Sequence, residues 1–345
     1  MRRLWRWLRR LVVAAVVLLL CLLFPVGYVE LMCRPAGTAM PYAPLVAAEW
    51  QRPEGRTLMT YPEWHIVHAY DDYAAVIARG DPQDFGFVTA VGGFWGALCP
   101  LAQASGAHGG FDGETRQMIY TIGVSFTAEM LMKAAYEETL GRVATWLRGP
   151  ERALLDDVSA RQAADYARFL QQVPWYRWDF DRDRVELSPA EGFRNAERRL
   201  ALGLEYRAKA GYARVIAAAV AGMEPDALRM RVILRGLAPE ILAQAEDVQV
   251  IATRPEGIEV ETPRYRAFTD LARLWAAQGA DFVEIAGNDD ILFTAISPDG
   301  PMPSALYAAA RQGNPGYRNL MLVRVADLAA ELRRLGPAVE HIHDY

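Results

Sequence analysis

Apolar side chains are arranged along this chain in three successive ways. Residues 11–32, LVVAAVVLLLCLLFPVGYVELM, form an almost unbroken apolar run whose only charge is Glu30. The 19 uncharged residues from Leu11 to Val29 come close to the roughly 20 that a helix needs to cross a bilayer core. Over residues 57–222 apolar positions recur at spacings of three and four, which predicts amphipathic helices. Over residues 223–345 short strand-like runs alternate with helical ones, which predicts an α+β domain. The expected order is therefore a transmembrane helix, an all-α domain and an α+β domain.

Punctuation residues sharpen the element limits. Residues 33–56 hold Pro35, Pro41, Pro44 and Pro53 and read as an extended linker. Thr60-Tyr61-Pro62-Glu63 predicts a capped helix start, with Glu63 reaching back to the cap's backbone N–H. That helix should run to about Arg79, with Ile66, Val67, Tyr70, Tyr73, Ala74 and Ile77 on its apolar face. Further helices are expected over 86–103, 115–147, 151–172 and 191–221, the last ending at Gly222. The aromatic stretch at 174–189 is expected to clamp over the helical core, with an interfacial membrane contact as the alternative.

In the last part RMRVILRG, VQVIATRP, NLMLVRV and VEHIHDY read as strands. LAPEILAQAE, TDLARLWAAQG and ADLAAELRRLG read as helices, and 297–318 as a Pro/Gly-rich loop. FVEIAGNDDILFTAI reads as a hairpin around Gly287-Asn288. A ferredoxin-like arrangement is one candidate for this domain, which is expected to begin near Met223-Glu224-Pro225. No internal sequence repeat is evident.

Charge then orients the chain. The first ten residues carry five arginines and no acid, leaving 32 basic against 42 acidic side chains beyond them, a formal −10. Such an acidic body argues against a nucleic-acid partner. The arginine cluster should stay cytoplasmic, which makes residues 1–32 a cytoplasmic tail and anchor and sends the bulk into the periplasm of a bacterial inner membrane. A cleavable signal peptide competes, but the exit PVGYVELMC lacks a small-x-small cleavage pattern. Residues 85–111 also lack Asp, Glu, Lys and Arg, so a second, hairpin-like membrane passage is conceivable. Its glycines, and the absence of basic excess in the intervening loop, favour a core helix or one lying on the membrane.

TYPEWHIVHAYDDYA at 60–74, FVEIAGNDDIL at 282–292 and the ending EHIHDY resemble a family of uncharacterised, membrane-anchored proteobacterial proteins. The resemblance implies a bacterial envelope setting. It implies no activity, cofactor or catalytic residue.

Chemistry has few footholds. His65, His68 and Asp72 fall within about 60° of one another on a helix, opposite the apolar stripe. They form the candidate metal site, and a plain solvated face is the alternative. Glu129 with Lys133 one turn later is either an orienting ion pair or a buried acid–base carboxylate. Glu137 and Glu138 read as surface charges. His341 and His343 would share one face of the terminal strand, near Asp344 and the C-terminal carboxylate. Cys33 and Cys99 lie on the same side of the predicted membrane and are the candidate disulfide, with Cys21 free inside the span. Nucleophile-elbow, Walker A, haem-attachment and dinucleotide patterns are absent. The expected role is an envelope binding or accessory protein that meets the lipid bilayer and either another envelope protein or an apolar ligand. A metal-dependent enzyme and a lipid-handling protein are the alternatives.

Overall fold

The computed structural model describes residues 2–37, 42–187, 191–220 and 228–343. The expected boundary at Met223-Glu224-Pro225, the helix end at Gly222 and the Asp344 neighbour of the terminal histidines lie outside these residues.

Helix α1 (Arg2–Met32) carries the apolar run. It is long and apolar enough to span a membrane, and most of its described side chains are exposed. Its last turns are different, because Val26 and Val29 pack into the core of the helical body. Tyr120 donates to the Glu30 carboxylate at 2.7 Å, and Cys33 is bonded to Cys99. The expected disulfide is thus present, and Cys21 is free and exposed.

The helical body comprises α2 (Glu54–Leu58), α3 (Tyr61–Ile77), α4 (Phe87–Ala104), α5 (Gly113–Tyr136), α6 (Arg142–Arg148), α7 (Leu154–Leu170), α8 (Phe180–Glu186) and α9 (Phe193–Val220). Asp112 starts α5 by accepting the Thr115 backbone N–H at 2.7 Å. The predicted cap at Thr60 does not form. Its hydroxyl donates instead to the Thr57 carbonyl, because α2 folds immediately before it, across the end of the expected linker. A π-helical turn, Glu137–Gly141, joins α5 to α6. Glu137 is consequently not a surface charge. It is buried and paired through both oxygens with Arg198, in space that a Cβ on Gly141 would fill.

Helix α4 is a core element, with Phe94, Ala97, Leu98 and Leu101 fully buried. The stretch after Pro174 closes over the same core through Trp175, Trp178 and Phe180.

The C-terminal region contains two four-stranded antiparallel sheets. Strands β1 (Arg229–Arg235), β2 (Gln249–Arg254), β3 (Gly257–Pro263) and β4 (Asp281–Ile285) form the first, in the order β2-β3-β1-β4. Strands β5 (Asp290–Ser297), β6 (Tyr307–Ala310), β7 (Tyr317–Arg324) and β8 (Val339–His343) form the second, in the order β6-β7-β5-β8. Helices α10 (Pro239–Leu242), α11 (Tyr265–Ala277) and α12 (Val325–Leu335) complete the region. Both sheets therefore place their strands in the order second, third, first, fourth. This topological repetition has no counterpart in the sequence.

The predicted β4–β5 hairpin is corrected by this arrangement. A tight turn does form, with Ala286 and Gly287 both at positive φ and a single bridge between Ile285 and Asn288. Beyond that bridge β4 joins the first sheet and β5 the second. Residues 42–54 keep them apart: Arg52 N–H donates to the Ala286 carbonyl at 2.9 Å, and Gln51 lies against Gly287. Glu284, fully buried, accepts from Tyr42, Leu45 N–H and Val46 N–H.

One core, including Phe268, Trp275, Phe282, Phe293 and Leu328, is shared by both sheets with α11 and α12. A second belongs to the helical body and includes Leu292 and Leu320 of the second sheet. Strand β5 is covered on both faces, Phe293 facing one core and Leu292 the other. That is why ILFTAI reads as a continuous apolar run.

Candidate functional site

The second sheet meets the helical body at α3. His65, His68 and Asp72 share one face of α3, as expected, but that face is buried. Each turns to a different partner. His65 Nε2 lies 2.9 Å from the Ala90 carbonyl of α4, with its ring against the Cβ-free side of Gly93. His68 Nδ1 lies 3.8 Å from Glu340 of β8. Asp72 accepts the Gln312 backbone N–H at 3.1 Å and Arg318 Nη1 at 3.4 Å. Arg318 forms a two-pronged pair with Glu340, at 2.6 and 2.8 Å. The three candidate ligands therefore do not converge on one point.

His341 and His343 project from one face of β8 into this junction, with ring centroids 5.0 Å apart. Trp64 stacks on His341 at 3.5 Å, and Tyr61 meets His343 edge-on at 5.2 Å. His341 Nδ1 is 3.3 Å from the Thr269 hydroxyl. His68 Nε2, His341 Nε2 and both His343 ring nitrogens have no hydrogen-bond partner among the described residues. Burial is the leading cause that lowers all four histidine pKa values, His65 to about 4 and His343 to about 3. The junction is thus a cluster of neutral imidazoles beside a closed Asp72–Arg318–Glu340 network.

Glu129 belongs to another, half-buried group. Its nearer cation is Lys209 of α9 at 2.7 Å, while Lys133 stands 4.0 Å away. Glu205 bridges both ammonium groups, at 2.9 and 3.1 Å, and Tyr70 donates to Glu129. Burial alone would raise the Glu129 pKa, but Lys209 and Lys133 bring it below its ordinary value. Both lysines of the sequence are used here to tie α3, α5 and α9 together. A carboxylate held ionised by two ammonium groups suits structure better than proton transfer.

A third constellation was not legible in the sequence. Gly55 of α2 packs so closely on the turn after α4 that a Cβ there would lie 1.9 Å from the Gly110 carbonyl oxygen. This approach brings Glu54 Oε2 to 2.9 Å from His108 Nδ1. On the other side of the ring, His108 Nε2 lies 3.5 Å from Asp290 Oδ2, at the start of β5. Asp290 N–H donates to the second Glu54 oxygen at 2.8 Å. Glu54 and His108 border a cleft of about 430 Å³ lined also by Tyr42, Gln51, Arg52 and Asn288. Among the described residues the trio is the one group of three His, Cys, Asp or Glu whose ligand atoms all lie within 4.8 Å of one another. The hydrogen bond that His108 donates to Glu54 raises the His108 pKa against the opposing effect of burial. No local motif links residues 54, 108 and 290. The one available signal was acidic NDD chemistry next to a turn.

Comparison with family models, curated proteins and solved structures finds no match to this chain, so its functional reading rests on the residues themselves.

Proposed function

We infer that the protein is a membrane-anchored binding or accessory protein of the bacterial envelope, held in the inner membrane by α1 with its body in the periplasm. The observation that carries this reading is the Cys33–Cys99 bond, one residue beyond the end of α1. Disulfides persist in oxidising compartments, the periplasm among them. The burial of Val29 in the body's core favours a retained anchor over a cleaved signal, since cleavage would strip a side chain from that core. The arginines before the span supply the inward-positive charge.

The 430 Å³ cleft is the recess in which a small ligand would be held. The lipid bilayer is the constant partner, and an envelope protein or apolar molecule a further one. Exposed Leu140, Val143 and Leu147, spaced along the α5–α6 segment, offer such a partner an apolar face. The succession β1–α10–β2–β3–α11–β4, with its strand order, supports a ferredoxin-like reading of the first sheet. A metal enzyme using His65, His68 and Asp72 gains no support, because His65 and Asp72 hold separate partners and the three ligand atoms are not gathered within 4.8 Å of one another.

Thiol labelling of denatured, unreduced protein from native membranes tests the reading. One reactive thiol per chain, Cys21, is expected. Three would remove the observation on which the compartment rests.

A further inference from the structure

Three clusters of polar side chains stand out in this molecule, and two of them explain themselves. The Glu129–Lys209–Glu205–Lys133 group is closed by its own charges. The His68–His341–His343 group has unpartnered nitrogens, but no trio in it brings its ligand atoms within 4.8 Å. Those rings are also almost wholly buried, which leaves an ion no visible way in. The group at Glu54, His108 and Asp290 differs in both respects. It is gathered, and it borders an open cleft.

We propose that Glu54, His108 and Asp290 form a binding site for one divalent transition-metal ion of the Zn(II) type, open to the cleft. His108 Nε2 and Asp290 Oδ2 are the ligands, and Glu54 is a positioning residue. At 3.5 Å the Nε2–Oδ2 separation is long for a hydrogen bond, whose usual range ends near 3.2 Å. It matches the spacing of about 3.4 Å between two ligands that sit 2.0–2.2 Å from a tetrahedral ion. The other ring nitrogen is held by the Glu54 carboxylate at 2.9 Å, which fixes the Nδ1–H tautomer and aims the Nε2 lone pair at Asp290. This carboxylate–imidazole–metal relay is the usual outer support of a histidine ligand. Glu54 is in turn fixed by the Asp290 N–H, so the two carboxylates and the ring hold one another in place. Imidazole with carboxylate suits borderline divalent ions. Glu54 and His108 line the cleft, which gives water or an anionic ligand group access to complete the coordination.

This inference does not depend on where the protein resides, so its test uses the full, untagged chain in detergent after chelator treatment. Zn(II) is titrated by calorimetry, and Co(II) absorption reports the coordination geometry. One ion per chain is expected, bound more tightly as pH rises because His108 must lose its proton. His108→Gln and Asp290→Asn should each weaken binding by at least tenfold, and Glu54→Gln by about 10–100-fold. His343→Phe, in the other imidazole group, should bind as the wild type does. Melting curves check that the variants fold; if His108→Gln does not, Asp290→Asn carries the test. The proposal is overturned if the wild type takes up no ion, in which case His108 is an imidazolium bridging two carboxylates. It is equally overturned if binding survives both ligand variants, or is lost in His343→Phe.

Discussion

Replacing His343 by phenylalanine should make the protein more resistant to acid. The imidazole is fully buried, and neither nitrogen bonds to a group of the described residues. Burial is the main cause that lowers its pKa from 6.5 to about 3. The unfolded chain therefore takes up this proton before the folded one does. Stability from the neutral ring is complete above pH 6.5 and is lost as pH falls toward the folded value. At about pH 5 the loss from this one ring amounts to about 2 kcal/mol. Phenylalanine keeps the edge contacts with Tyr61 and Trp64, at 5.2 and 5.5 Å, and has nothing to protonate. At about pH 7.5 the variant should equal or exceed the wild type, because no hydrogen bond to a described residue is given up. Urea unfolding of both proteins at about pH 7.5 and about pH 5 gives the comparison, in which all other titrating groups largely cancel. His108, whose pKa is raised, contributes in the opposite sense but equally in both proteins. A stability difference that does not change with pH would refute the reasoning. So would a large loss at neutral pH, which would mean that the His343 nitrogens hold a partner essential to the fold.

Arg318→Met should destabilise by about 3–5 kcal/mol in urea unfolding, because it leaves the buried Asp72 and the half-buried Glu340 without their cation. Gly55→Ala should cost about 1–3 kcal/mol by pushing α2 off the 105–110 turn, and should abolish the Glu54–His108 contact in the same step. Reducing the Cys33–Cys99 bond, whose sequence separation is 66, should cost about 4 kcal/mol by the chain-entropy relation, seen as a lower urea midpoint. A fragment beginning at residue 228 should unfold cooperatively on its own core but self-associate through Leu292, Leu320 and Leu322, which sedimentation would show.

Helices α3, α4, α5, α7 and α9 were legible because their apolar spacing and their Gly and Pro stops act locally, whereas α6 was merged into α5 and α8 was read as connection. Strands β3 and β6 were not, because GIEVETP and YAAA gain their places only by pairing with β1 and β7. The AGND turn was recognised, yet its hairpin failed. Turn chemistry sets a reversal, and it cannot reveal that residues 42–54 wedge the two strands into different sheets. Periodicity likewise put His65, His68 and Asp72 on one face but assigned that face to solvent. A helix covered on both sides, by α4 and by β8, shows polar residues on a buried face once arginine and carboxylate partners reach it from distant strands. The disulfide was readable because topology alone limited the pairing. The Glu54–His108–Asp290 trio was not, since its members are separated by 54 and 182 residues and meet through one close glycine contact.

The central claim is that α1 is a retained anchor with the body outside the cytoplasm. A reporter active only in the periplasm, fused after Tyr345 and expressed with the full N-terminus, addresses it most directly when the intact mass of the same product is recorded. The account predicts an active reporter on a chain that still contains residues 1–32. A reporter active only when cytoplasmic, or a chain whose N-terminus begins past residue 30, would contradict it.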